Sequence, residues 1–243
     1  MKALITGASS GLGREMARLL AARGYELILC ARREERLREL AAELPVPCRI
    51  IAADVSDEQE CRLLYEAVQS EELEVVINNA GFGLFGEFVT ADLDEELRMI
   101  DTNVKGLLYI THEVAPLMIK NEKGHIVNIA SVAGKEVYPG GNVYCATKHA
   151  VDALSKAMRI DMLKHNIKVT NIAPGMVETE FSVVRYKGDQ QAADNVYKGV
   201  TPLTGEDIAD TIVFAVTRPA HICLNDIQIM PTAQASSRDV NRK

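Results

Sequence analysis

ALITGASSGLG, residues 3–13, is the stretch that decides the fold. Its first four residues are apolar or β-branched and run without a charge into a turn with glycines at Gly7, Gly11 and Gly13. Apolar residues then recur at helical spacing over residues 12–23. Strand, glycine-rich turn and helix open a βαβ unit, and such a turn lets backbone amides approach an anionic group at the helix N-terminus. Glycine-rich turns are common, so Ser9, Ser10, Leu12 and the three glycines become informative only if the pattern continues.

It does continue. Further apolar runs are ELILCA (26–31), CRIIAAD (48–54), EVVINN (74–79), HIVNIA (125–130), IKVTNIA (167–173) and DIQIM (226–230). Helical patterns lie between them, over residues 34–44, 57–69, 93–120, 143–165 and 206–217. Strands that are continuously apolar and alternate with helices predict a parallel sheet covered on both faces. Right-handed crossovers then give an α/β, Rossmann-like, doubly wound layout of about seven strands. With no repeat and no linker, residues 1–243 read as one domain, and the polar tail at 236–243 is expected to fray.

A chain of 243 residues, 47% hydrophobic and 25% charged, suits a soluble globular domain. The net charge of −7 disfavours a broad nucleic-acid surface but leaves room for a local basic pocket. No apolar run approaches membrane-spanning length, so neither nucleic acid nor membrane is an expected partner. The first strand begins at residue 3, which leaves no room for a signal peptide and makes the cytoplasm the expected location. The five cysteines form no C-x-x-C pair and read as small core side chains in a reducing compartment. Cys145, beside Tyr144, could be a reactive thiol, but reads as another small core side chain. The five histidines lack metal-ligand spacing, and no metal site is expected.

Chemistry-bearing residues fall at strand ends. An NAD site offers an acid after the second strand for the ribose 2′-hydroxyl. Here Cys30–Ala31 are followed by Arg32 and Arg33, whose guanidinium forks suit a 2′-phosphate, favouring NADP(H) over NAD(H). The alternative is two arginines opening an exposed helix, and the rest of RREERLRELAAEL reads as a solvated helix face. Asp54–Val55 could reach an adenine amino group, or Asp54 or Ser56 could cap the helix beginning near Asp57. NNAG (78–81) places Asn79, Ala80 and Gly81 where bare backbone suits a closely approaching cofactor. Asn103 sits mid-helix in MIDTNVKG, a poor place for asparagine, so its side chain either bonds backbone locally or serves a site. In YCATK (144–148), Tyr144 and Lys148 are four apart on one helical face, where a packed tyrosine beside a solvated lysine is the plain reading.

In this order, TGASSGLG, NNAG, Asn103, Ser131, Y-x-x-x-K and PG (174–175) resemble the short-chain dehydrogenase/reductase family over nearly the whole chain. The resemblance implies an oxidoreductase acting on CH–OH groups of a small alcohol or carbonyl substrate. Tyr144 is then its acid/base, and Ser131 the hydrogen-bond partner of the substrate oxygen. Lys148 stabilises phenolate and holds the nicotinamide ribose, while Asn103 supports a water relay. Tyrosine's ordinary pKa is about 10, and each unit of depression is worth about 1.4 kcal/mol. Pro174, Gly175, Val177 and Thr179 would line the nicotinamide side, and residues 175–200 would cover the substrate.

TEFS-x-VR-x-KGD (179–189), PLT-x-EDIAD (202–210) and MPT-x-QAS (230–236) resemble one subgroup, the NADP-dependent 3-hydroxy acid (serine or allo-threonine) dehydrogenases. That implies a homotetramer oxidising serine, allo-threonine or 3-hydroxypropanoate, or reducing the matching semialdehyde. Arg185 then becomes a candidate carboxylate anchor, with solvent or a partner subunit as the alternative. Gly134 and Val137 would shape the pocket. The rim at 83–88, with Leu84 and Phe85, is more apolar than a small acid needs, which leaves a bulkier neutral ketone as a rival substrate. A cofactor-binding regulator without turnover is the rival of another class, and the presence of Ser131, Tyr144, Lys148 and Asn103 together argues against it.

Overall fold

The computed structural model describes residues 1–243. The elements in chain order are β1 (Lys2–Thr6), α1 (Gly11–Ala22), β2 (Glu26–Ala31), α2 (Glu34–Glu43), β3 (Cys48–Ala52), α3 (Glu58–Val68) and β4 (Leu73–Asn78). Then come α4 (Leu93–Ile100), α5 (Gly106–Lys120), β5 (Gly124–Ile129), α6 (Asn142–Asp161) and β6 (Ile167–Pro174). The chain finishes with α7 (Glu180–Arg185), α8 (Gln190–Tyr197), α9 (Gly205–Val216) and β7 (Asp226–Ile229). All strand pairs are parallel, in the order β3-β2-β1-β4-β5-β6-β7. The seven-stranded doubly wound sheet expected from the sequence is therefore present.

Alternate residues of each strand feed two separate cores. Ala3 and Ile5 of β1 and Leu27 and Leu29 of β2 pack with Met16 and Leu20 of α1, Leu37 and Leu40 of α2, and Ile208 and Ile212 of α9. Leu4, Ile28 and Cys30 point the other way, onto Leu64 and Val68 of α3 and Ile110, Val114 and Met118 of α5. Leu4 and Leu29 are fully buried, and trimming either to alanine costs about 2–5 kcal/mol. No helix is long and apolar enough to cross a membrane.

The differences from the sequence reading cluster around the cleft. The helix expected over 93–120 is interrupted by a π-helical turn at Asp101–Lys105, which carries the buried Asn103. The helix expected over 143–165 ends at Asp161, and a 3₁₀ turn follows at Leu163–His165, closed by Asn166 in the left-handed region (φ 59°). The covering segment 175–200 folds as α7 and α8, whose first turns are capped by the Thr179 and Asp189 side chains. At α3 it is Asp57, rather than Asp54 or Ser56, that caps, accepting from the N–H groups of Gln59 and Glu60.

The tail, expected to be free, is hydrogen-bonded to the body of the domain. Lys243 N–H donates to Gly199 O at 3.0 Å, and Ser237 donates twice to Glu136 Oε2 at 2.8 Å. Arg242 Nη1 donates to the carbonyls of Val196 (3.1 Å) and Lys198 (2.7 Å). A cation there satisfies acceptors that the end of α8 leaves free, which gives a polar tail a definite place to bind.

Candidate active site

Strand order reverses at β1 and β4, and the crevice that opens beyond the C-terminal ends of the strands holds a cavity of about 640 Å³. The turn after β1 forms one wall. Gly7 and Gly11 have φ of +66° and +49°, and a Cβ on Gly13 would lie 2.2 Å from Gly7 O. Ser10 precedes α1 without capping it through its side chain, so the first-turn amides remain available to an anion. Thr6 Oγ1 accepts from the N–H groups of Asn79 and Ala80, each at 3.0 Å, stitching the ends of β1 and β4 together. Asn79 Nδ2 donates to Thr6 O at 2.9 Å. This bare-backbone cradle fits a dinucleotide pyrophosphate.

Arg33 Nη2 reaches back to the same turn, donating to Ser10 Oγ at 2.8 Å and Ser9 Oγ at 3.2 Å. Burial, together with the neighbouring Arg36 and Arg32, holds its pKa below the ordinary guanidinium value. Arg32 points outward and lies 3.7 Å from Asp54 Oδ2. The other Asp54 oxygen accepts from Ser56 N (3.0 Å) and Ser56 Oγ (2.7 Å). Leu12, Val55 and Gly81 also line the cavity, as do Pro174, Gly175, Val177 and Thr179.

At the inner end, Ser131, Tyr144 and Lys148 converge on the cavity. Ser131 follows β5 and starts a 3₁₀ turn, its Oγ accepting from Ala133 N at 3.1 Å. Tyr144 and Lys148 are both buried on α6. Burial raises the pKa of the Tyr144 phenol, while the Ser131 hydroxyl and then the Arg185 guanidinium draw it down. Lys148 Nζ donates to Ile129 O at 2.7 Å and stands 5.9 Å from the Tyr144 ring centroid. Burial pulls the Lys148 pKa down to about 8. Two cations thus flank the phenol, Lys148 on α6 and Arg185, whose Cζ lies 5.6 Å from the Tyr144 centroid.

Asn103 does not bond its own helix. Its Oδ1 accepts from Phe82 N at 3.0 Å, and its Nδ2 donates to Phe82 O (2.8 Å) and Thr147 Oγ1 (3.1 Å). It lies behind the main cavity, in a small pocket that Lys148 also lines. The widened π turn lets one amide hold the segment after β4 and α6 together.

Arg185 projects from α7 into a box of aromatic rings. Its Cζ lies 5.4 Å from the Phe85 centroid, 5.2 Å from Tyr138 and 5.6 Å from Tyr144. Nη2 donates to Tyr138 OH at 3.0 Å, and the buried Nε has no partner. Of the apolar rim at 83–88, Phe85 thus packs on a cation rather than lining the cavity. Gly134 and Val137 do not line the cavity: Gly134 packs on Lys148 O, and Val137 is exposed. Cys145 is buried behind Tyr144 against Met99 and Ala133. Tyr138, Arg36, Glu180 and the tail were missed from sequence, and only Arg36, one helical turn after Arg33, carried a usable signal.

A family model described as short chain dehydrogenase matches residues 1–190. The chain is 45% identical over 240 residues to sulfoacetaldehyde reductase 2 of Chromohalobacter salexigens, covering 96% of this chain and 95% of that one. It is 41% identical over 248 residues to an NADP-dependent 3-hydroxy acid dehydrogenase of Schizosaccharomyces pombe, covering 99% and 96%. Among solved structures, the closed form of a serine dehydrogenase complexed with NADP+ superposes with a TM-score of 0.95 at 38% identity, covering 100% of both chains. Sequence motifs, strand order and these full-length likenesses agree: the protein belongs to the short-chain dehydrogenase family.

Proposed function

We propose that the protein is an NADP(H)-dependent oxidoreductase that interconverts a small 3-hydroxy acid, or its sulfonate counterpart, with the matching semialdehyde. The observation that carries this is Arg185, a guanidinium boxed by aromatic rings beside Tyr144, with a buried Nε left without a partner. An unsatisfied buried donor is costly, and an oxyanion is its natural complement. The names of the relatives point the same way. A 3-hydroxy acid and sulfoacetaldehyde each place the reacting carbon one carbon from an anionic group, so one cation at a fixed distance from Tyr144 serves both.

The glycine turn, Arg33 and the strand-end residues Asp54, Val55, Asn79, Ala80 and Gly81 would hold the cofactor, with Pro174, Gly175, Val177 and Thr179 at the nicotinamide end. The cofactor supplies or accepts the hydride when bound. Tyr144 gives its proton to the carbonyl oxygen in reduction and takes it from the hydroxyl in oxidation. Ser131 donates a hydrogen bond to the same oxygen, and the Lys148 cation favours phenolate. Asn103 fixes the backbone around them. The apolar row of Leu93, Leu97 and Ile100, exposed along α4, supports assembly into a homotetramer. Five free cysteines, with burial pushing the Cys30 and Cys61 thiols up to about 12, fit a reducing cytoplasm.

The test is a panel of initial rates: L-serine, L-allo-threonine and 3-hydroxypropanoate with NADP+, sulfoacetaldehyde with NADPH, and NAD(H) in parallel. Turnover of these anions with NADP(H) is expected, with Arg185→Ala raising KM about 10- to 100-fold. Preference for NAD(H), or a KM unmoved by Arg185→Ala, would contradict the reading.

A further inference from the structure

Glu180, the first residue of α7, stands among the guanidinium groups that follow β2. Its Oε1 and Oε2 accept from Arg36 Nη1 at 3.2 and 3.1 Å, and Oε2 lies 3.8 Å from Arg33 Nη1. Arg33 is the residue whose other amine rests on Ser9 and Ser10 of the glycine turn. Arg185 closes the same six-residue helix. The two ends of α7 thus touch two different ligand sites, one charge in each. Thr179, which caps the helix, lies beside the glycine turn: a Cβ added at Gly11 would stand 3.6 Å from the Thr179 Cβ.

Three arginines within five residues repel one another, and Glu180 offsets part of that repulsion. An anion at Arg33 has the Glu180 carboxylate as a like-charged neighbour on the same guanidinium, held aside by its closer pair with Arg36. We propose that Glu180 sets the affinity for the cofactor 2′-phosphate by sharing Arg33 with it, and that the Glu180–Arg36 pair clasps the substrate-covering helix to the cofactor site. This rests on the NADP(H) reading above.

The two ends of the pair then have opposite effects. Glu180→Gln removes the competing anion and should tighten NADPH about three- to tenfold. Arg36→Gln releases Glu180 toward Arg33 and should weaken NADPH by a similar factor, about three- to tenfold. NADH binding should change in neither variant. Both variants loosen the clasp, so KM for the hydroxy acid should rise about two- to fivefold in each.

The experiment is equilibrium titration of wild type and both variants with NADPH and with NADH in the absence of substrate, followed by KM. Opposite shifts in NADPH affinity support the proposal, because a merely structural ion pair would move both variants the same way. Shifts in the same direction, no shift, or equal shifts for NADH overturn it. A wild type with no preference for NADPH over NADH would instead remove the cofactor reading, and this proposal with it.

Discussion

Arg33 and Arg32 adjoin in sequence, yet they stand differently toward the proposed cofactor site. Arg33 is held on two hydroxyls, at 2.8 and 3.2 Å, its side chain about half exposed (46%) and facing the glycine turn. A pre-placed guanidinium makes charge-assisted bonds to a phosphate worth about 1.5–3 kcal/mol, and partial exposure puts Arg33 toward the lower half. Arg33→Ala should therefore weaken NADPH roughly 10- to 150-fold, with the result nearer the low end. Arg32 is 66% exposed and already 3.7 Å from Asp54, so Arg32→Ala should cost less than about 1 kcal/mol, at most roughly fivefold. NADH, lacking the phosphate, should lose little in either variant. The assay is calorimetric titration of each variant with both nucleotides at one fixed ionic strength, since exposed charges are screened within about 10 Å. Equal losses for NADPH and NADH, or a larger loss from Arg32 than from Arg33, would refute the reasoning.

Other consequences are as direct. Tyr144→Phe should abolish turnover while leaving NADPH binding intact, and retained activity would remove the acid/base. Gly13→Ala drives a Cβ to 2.2 Å from Gly7 O, so the turn must shift. Thermal unfolding should show a loss of about 1–3 kcal/mol, accompanied by weaker NADPH binding. His125, buried and bonded to Thr170 Oγ1 at 2.7 Å, is pushed by burial from its ordinary 6.5 down to about 3. As pH falls the unfolded chain takes up that proton first, so the stability this neutral ring contributes is present above pH 6.5 and lost between 6.5 and 3. The slope is up to about 1.4 kcal/mol per pH unit. Denaturant titrations at pH 7, 6 and 5 should show that slope reduced in His125→Gln, and an unchanged acid limb would contradict the assignment.

What the sequence made legible was what local pattern controls. The ends of β2 and β6 could be read because an apolar, β-branched run has one way to sit in a doubly covered sheet. The turn at 6–13 could be read because only glycine fits where Gly7 and Gly13 meet the backbone. Helical spacing put Tyr144 and Lys148 on one face, but their roles came only from the family resemblance of the motifs around them. The π turn at Asn103 was not, because it answers to Phe82, a partner 21 residues back along the chain. Nor was the fate of the Lys148 ammonium, which is set by the Ile129 carbonyl. Glu180 and Arg36 are 144 residues apart, and each alone reads as an exposed charge. The tail looked free because its anchors, among them Glu136, Val196 and Gly199, are distant in sequence and two of them are backbone carbonyls that any residue supplies.

The proposed activity requires that an anionic group on the substrate be recognised at Arg185 while Tyr144 handles the proton. It is tested most directly by comparing kcat/KM, with NADP+, for 3-hydroxypropanoate and for 1-propanol, which keeps the carbon chain and the hydroxyl but lacks the carboxylate. A preference for the acid of about 100-fold or more, equivalent to about 2.7 kcal/mol, is expected, and it should collapse in Arg185→Ala. Equal rates for the two alcohols, or a preference that survives the loss of Arg185, would contradict it.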